Sequence, residues 1–341
     1  MCSPVPLALA SYDAQKNSFI GRVVVVLAAL AIGSAVPATA ASNSVTRFEH
    51  LRQQDLRVAN VAYRLAASSR KLCQDALKPQ LGFVLHILES HVPTSHKAVA
   101  SSHGPGRYTG VIAVDEGSPA ARAGLVAGDR LISVNSKDLA AGDSASAGGS
   151  IWAQDQRAKT LVLDEITKGE VTLHVSNAGG VRDVRFGADL GCPSDVELVS
   201  SNEVNAWADG SRVVVTDAIV EQCGTDDELA LVIAHELAHN ILRHRQRLAL
   251  AGVPDNRLLP ISAAGSARIR ETEEEADRFA VGMARAAGYD LGRAASFLKR
   301  LLAANGLSGR AAATHPASDR RLALLSAAIA EADLQSKRTA F

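Results

Sequence analysis

The spacing of apolar residues changes repeatedly along this chain, and each change marks a new kind of element. Between Val45 and Leu77, the residues Phe48, Leu51, Leu56, Val58, Val61, Ala62 and Leu65 recur at mixed steps of three and four with charges between them. That pattern predicts an amphipathic helix packing on a later domain and closed by Pro79. From Gln80 the period becomes strand-like, through Leu81-Gly82-Phe83-Val84-Leu85-His86-Ile87 and, after a polar loop, Tyr108 to Val114. Gly117-Ser118-Pro119-Ala120, Ala123-Gly124-Leu125, Gly128-Asp129-Arg130-Leu131-Ile132 and Val134-Asn135 then crowd turns, a short helix and another strand together. A Gly- and Ser-rich insertion over Ala141 to Ser150 precedes a helix near Gln156 to Thr167. A hairpin of Val171 to Ser176 with Val181 to Phe186 around Gly179-Gly180 completes the region.

After Gly191-Cys192-Pro193, strand candidates at Val196 to Val199 and Arg212 to Thr216 precede helical stretches. Strands followed by helices indicate an α+β domain rather than a doubly wound one. Thr225-x-x-Glu228 reads as a capping box, and Leu229 to Leu242 is apolar nearly all round, the mark of a helix buried at a domain centre. Inside that helix lies His235-Glu236-Leu237-Ala238-His239. The two histidines stand one turn apart on one face, so both imidazoles can reach one Zn²⁺ while Glu236 addresses an activated water. A buried Glu236 with no such role would be costly.

A site of this kind needs a third ligand. The positions at which a metzincin places Gly and His hold Leu242 and Arg245, which excludes that class. His244 misses the register by one residue and is expected at a helix end, where a partial positive charge suits the dipole. Arg270-Glu271-Thr272-Glu273-Glu274-Glu275-Ala276-Asp277 offers several acids. Periodicity puts Glu273 on a face with Ala276, Ala280 and Met283, and Glu271, Glu274 and Arg278 on the opposite one, which makes Glu273 the candidate ligand. Asp277, one turn on, could accept a hydrogen bond from a ligating imidazole and fix its tautomer. Tyr289, His315 and Arg321 are available as oxyanion donors, and the alternative reading of His315-Pro316 is a turn between helices.

Composition narrows the picture only slightly. The chain has 341 residues, 47% apolar, with 36 basic and 36 acidic side chains. This allows two or three modest domains and gives no sign of a nucleic-acid partner. Lys16 and Arg22 precede an apolar run from Val23 to Val36, and Ala38-Thr39-Ala40 follows, the layout of a secretory signal peptide cleaved after Ala40. The run is shorter than the ~20 residues of a spanning helix, and no later run approaches that length. The mature chain is therefore expected to lack a transmembrane segment and to occupy an exported, oxidising compartment, the periplasm. Cleavage leaves Cys73, Cys192 and Cys223. Cys73 and Cys192 could staple the first helix to the last domain, or all three could be small buried hydrophobes. His91, His96 and His103, irregularly spaced, read as solvated.

The Gly-Ser-Pro-Ala, Ala-Gly-Leu, Gly-Asp and Leu-Ile-x-x-Val-Asn string resembles a PDZ domain over about Gln80 to Asp189. The resemblance implies a partly open β-barrel in which Leu81, Gly82 and Phe83 form the loop whose amides receive a peptide carboxylate. The next strand would accept the peptide as an added strand. Further on, His-Glu-Leu-Ala-His, Glu273-x-x-Ala276-Asp277 and Thr314-His315-Pro316 with Arg321 resemble the zinc metallopeptidases of the HtpX and CAAX-prenyl-protease type, which are gluzincins. That likeness runs from about Glu197 to Leu322 and extends to Asn205-Ala206 and Gly210 to Thr216. It implies a zincin-like domain with one zinc ion per chain held by His235, His239 and Glu273, with Glu236 as base. It also implies Asn205 and Ala206 at the edge strand that binds substrate. The chain departs from the membrane-embedded members in lacking spanning helices.

The expected organisation is a signal peptide over 1–40, a helix over 41–79, a PDZ-like domain over 80–189 and a metallopeptidase domain over 190–341. The expected activity is hydrolysis of protein or peptide substrates, misfolded or unassembled envelope proteins among them, with the PDZ domain capturing chain ends. The rival expectation is a PDZ adaptor or holdase whose zinc site is structural or latent.

Overall fold

The computed structural model describes residues 38–73, 76–87, 109–139, 151–193, 195–253, 262–304, 323–331 and 334. The signal-peptide reading up to Val36, the histidines at 91, 96 and 103, the 141–150 insertion, His315 and Arg321 lie outside the described residues. Helix α1, Ala38–Ser68, ends well before Leu77. A 3₁₀ turn follows at Arg70–Leu72, and Pro79 lies inside a short strand β1, Lys78–Gln80, instead of closing the helix. Tertiary ties explain the earlier stop. Ser69 Oγ donates to the Met283 carbonyl (3.3 Å), and Cys73 is disulfide-bonded to Cys192 with Cα atoms 5.7 Å apart. β1 pairs antiparallel with β8, Asp189–Gly191, in a ladder of only two strands, where a proline is tolerated.

The PDZ region is one antiparallel sheet. It consists of β2 (Phe83–Ile87), β3 (Thr109–Val114), β4 (Arg130–Val134), β6 (Val171–Asn177) and β7 (Gly180–Phe186), in the order β2-β3-β4-β6-β7. A short β5, Lys137–Asp138, pairs with β4. The sheet is open, with β2 and β7 at its ends. Helix α2, Pro119–Arg122, starts at the Ser118 cap, and α3, Ile151–Ile166, starts five residues earlier than the sequence predicts. Val162 and Ile166 of α3 close the core over Phe83, Leu85, Val111, Leu173 and Val184, following the alternation of the strands. Gly82 has φ +71°, and a Cβ there would lie 2.4 Å from Ser118 Cβ. Its carbonyl accepts from Asp115 N and Ser118 Oγ, so glycine is required where the chain enters β2.

The last domain has a small sheet of β9 (Val196–Val199), β10 (Ala206–Ala208) and β11 (Val213–Thr216) in the order β10-β11-β9. The helices α4 (Asp217–Gln222), α5 (Asp226–Ile241), α6 (His244–Leu250), α7 (Ala263–Ala286) and α8 (Leu291–Ala304) follow. Their core includes Leu229, Ile233 and Leu237 of α5, Ala280 and Met283 of α7, and Val61 and Leu65 of α1. Helix α1 also reaches the PDZ sheet. Tyr63 donates to Asp189 Oδ2 (2.5 Å) and Asn60 Oδ1 accepts from Glu116 N (2.9 Å), while Arg57 Nε donates to Asp226 Oδ1 (2.6 Å) at the start of α5. One helix therefore holds both units.

Asp115 sits in this junction, 4% exposed, and its Oδ1 has no hydrogen-bond partner among the described residues. Burial pushes its carboxyl up to about 7, above the unfolded value of 3.8. Folding then favours the protonated form, so the contribution is fully present below pH 3.8 and is lost as pH rises to about 7. Asp115→Asn should leave urea stability near pH 4 unchanged and raise it relative to wild type above pH 7. Parallel pH dependences for the two proteins would contradict this.

Candidate metal centre

Helix α5 is fixed at its start by the Thr225 cap, whose Oγ1 accepts from Glu228 N (3.3 Å), and by Asp226 and Asp227 in the favourable first turn. Glu228 accepts from Gly224 N (2.7 Å) and pairs in fork fashion with Arg300 at 3.0 and 2.9 Å, which accounts for this acid structurally. One turn separates His235 from His239, and their Nε2 atoms face each other at 3.1 Å. Glu236, between them, is buried at 4% exposure.

Helix α7 packs against α5 through Ala276 and Ala280, both fully buried, and brings its acids with it. Glu273 Oε2 lies 3.4 Å from His235 Nε2, and Glu273 Oε1 lies 3.5 Å from His239 Nε2. Asp277 Oδ1 lies 2.9 Å from His235 Nδ1. Glu273 and Asp277 are 3% and 5% exposed, whereas Glu271 and Arg278 lie on the exposed face, as the periodicity predicts. Burial opposes a charged His235, but the hydrogen bonds and charges of Asp277 and Glu273 outweigh it and push the imidazole up to about 10. The cluster is built to hold positive charge.

The donor set matches a tetrahedral cation. Metal–ligand bonds of 2.0–2.1 Å place ligand atoms about 3.3 Å apart, and the separations here are 3.1, 3.4 and 3.5 Å. Among the described residues, His235, His239 and Glu273 are the group that could hold a metal ion. Among the described residues the cluster offers three protein donors, and a three-donor set with a further position for water or substrate is the composition of catalytic zinc sites in general.

Strand β10 forms the sheet edge beside this centre, with Asn205 N bonded to Thr216 Oγ1 (3.2 Å) and Ala206 opposite Val215. Its following turn is tied to α5, because Asn240, next to His239, accepts from Gly210 N through Oδ1 (2.8 Å). Arg245 Nη1 donates to the Asp209 carbonyl. Leu81, Gly82 and Phe83 are not part of the metal cluster. They lead into β2 at the end of the PDZ sheet, with Phe83 edge-on to Phe186 at 5.9 Å.

Two sequence expectations fail on geometry. Tyr289 lies under the Arg64 guanidinium (4.4 Å), and the next residue, Asp290, donates its N–H to Asp227 Oδ1. That is the first turn of α5, about 12 Å along the axis from His235, so Tyr289 is no oxyanion donor. His244 is not a charged residue at a helix C-terminus. It begins α6, is 1% exposed, and burial pushes its pKa down. Its Nδ1 lies 3.0 Å from His239 Nδ1 and its Nε2 lies 3.2 Å from Glu275 Oε2. Only the chain reversal at Arg243, with φ 55°, makes that contact, and no periodicity reveals it.

The chain is similar to known proteins over both of its units. Residues 184–267 and 257–329 match Peptidase family M48, and residues 110–150 match the PDZ domain family. The beta-barrel assembly-enhancing protease of Escherichia coli (strain K12) is 28% identical over 178 residues, covering 43% of this chain and 37% of the relative. The protein of that name from Yersinia pestis is 28% identical over 212 residues, covering 53% of this chain and 43% of the relative. The mitochondrial metalloendopeptidase OMA1 of Schizosaccharomyces pombe (strain 972 / ATCC 24843) is 29% identical over 153 residues, covering 37% of this chain and 43% of the relative. The chain thus spans less than half the length of these curated relatives.

Removal of a donor should show directly in metal binding. Glu273→Ala is expected to weaken zinc binding by about 100-fold or more, and Asp277→Asn by about tenfold, in competition with a chromogenic chelator. Unchanged affinity in Glu273→Ala would remove it from the site.

Proposed function

We propose that this chain, which carries a peptidase family M48 domain over residues 184–329 and a PDZ domain ahead of it, is an exported zinc endopeptidase. The observation that carries the reading is the convergence of His235, His239 and Glu273 around one point, with Glu236 buried on the same helix turn. In this reading His235 and His239 bind through Nε2, Glu273 binds through its carboxylate, and Asp277 holds the proton on His235 Nδ1. A zinc ion held there supplies Lewis acidity, polarising a scissile carbonyl and bringing water's pKa towards ~7. Glu236 takes the proton of the attacking water and delivers it to the leaving amine nitrogen. Strand β10 pairs with an extended substrate and sets the scissile bond beside the centre, since its turn is anchored to α5 through Asn240.

The PDZ sheet ends in β2, and α3 lies alongside that strand. A chain end or exposed strand adds to β2, with Leu81, Gly82 and Phe83 at the carboxylate end. Relatives named for enhancing β-barrel assembly support misfolded or unassembled envelope proteins as the substrates, and the layout from Lys16 to Ala40 supports export to the periplasm.

Glu236→Gln should keep zinc and fold but lower cleavage of an unfolded protein by about 10²- to 10⁴-fold. Undiminished proteolysis in that variant would sink the mechanism. A zinc-loaded wild type without turnover, with or without chelator, would instead favour a PDZ adaptor with a latent site.

A further inference from the structure

The contact between His239 and His244 joins two ring nitrogens at 3.0 Å, so one N–H lies between them and the question is which ring donates. The far side of His244 decides it. His244 Nε2 faces Glu275 Oε2 at 3.2 Å, and that carboxylate also accepts from Arg247 Nη1 at 2.8 Å. An ionised carboxylate only accepts, so His244 carries its proton on Nε2 and turns the Nδ1 lone pair towards His239. His239 must then carry its own proton on Nδ1, which leaves its Nε2 lone pair facing His235 Nε2 and Glu273.

We infer that His244 is a positioning residue for the metal centre: it accepts the Nδ1–H of His239 and, oriented in turn by Glu275 and Arg247, fixes the tautomer and ring plane in which His239 binds zinc. This rests on the zinc reading above. The two ligating imidazoles are then oriented by different chemistry, His235 by the Asp277 carboxylate and His239 by a neutral ring. The backbone is shaped for the second arrangement. Residues five apart on an unbroken helix do not face each other, and here Arg243 adopts a left-handed conformation (φ 55°, ψ 39°) that ends α5 and folds His244 back beneath His239. A left-handed conformation is unfavourable for a non-glycine residue.

Two amides distinguish acceptor from filler. Asn at 244 puts Oδ1 near the place of the histidine Nδ1 and can accept from His239, whereas Gln reaches the Nε2 position and faces Glu275 instead. In zinc competition against a chromogenic chelator, His244→Asn should stay within about threefold of wild type. His244→Gln and His244→Leu should lose about 10- to 100-fold. Equal affinities in all the proteins, or an Asn variant as weak as the Leu variant, would overturn the inference while leaving the zinc reading intact. A wild type with no zinc affinity would overturn both. Long-range ¹⁵N–¹H NMR of the imidazoles in zinc-loaded wild type gives a test that needs no variant to fold. Protons on His239 Nδ1 and His244 Nε2 are expected, and a proton on His244 Nδ1 would overturn the assignment.

Discussion

Glu236, Glu273 and Asp277 are buried together between α5 and α7, and this concentration of acid is the constraint that the rest of the domain meets. Each uncompensated carboxylate would cost several kcal/mol in such surroundings. Two neutral imidazoles do not offset that charge, and His235 responds by holding a proton strongly. A dication at the point where the Nε2 atoms and the Glu273 carboxylate meet removes the conflict. The small residues of α7, Ala276 and Ala280, bring the helices close enough for one ion to touch both.

Holding that geometry is the task of elements distant in sequence. Helix α1 fills the core beside α5 with Val61 and Leu65 and bonds through Tyr63 to Asp189 of β8 and through Asn60 to Glu116 in the turn after β3. The Cys73–Cys192 disulfide closes a separation of 119 residues, locking the chain leaving α1 to the chain entering the last domain. A cross-link over that span removes much of the unfolded chain's freedom. The strand β2 and the helix α5 are thereby tied through one helix, α1.

Features governed by local period were legible in the sequence. The capping box at Thr225, the shared face of His235 and His239, and the separation of Glu273 from Glu271 and Arg278 all follow from 3.6-residue repetition. The hairpin through Gly179-Gly180 follows from its turn chemistry. What escaped was set by contacts across the fold. The stop of α1 at Ser68 depends on Met283 and Cys192, and the removal of Tyr289 from the site depends on Asp227 and Arg64. The place of His244 depends on one left-handed residue that a helical pattern cannot announce.

The buried acids between α5 and α7 call for one zinc ion there, with a coordination position left open. Anomalous diffraction at the zinc edge from crystals of the full chain grown with zinc tests this most directly. A single peak is expected, bonded to His235 Nε2, His239 Nε2 and the Glu273 carboxylate, with the fourth position facing solvent. No peak at that point, or an ion closed off by a fourth protein ligand, would contradict it.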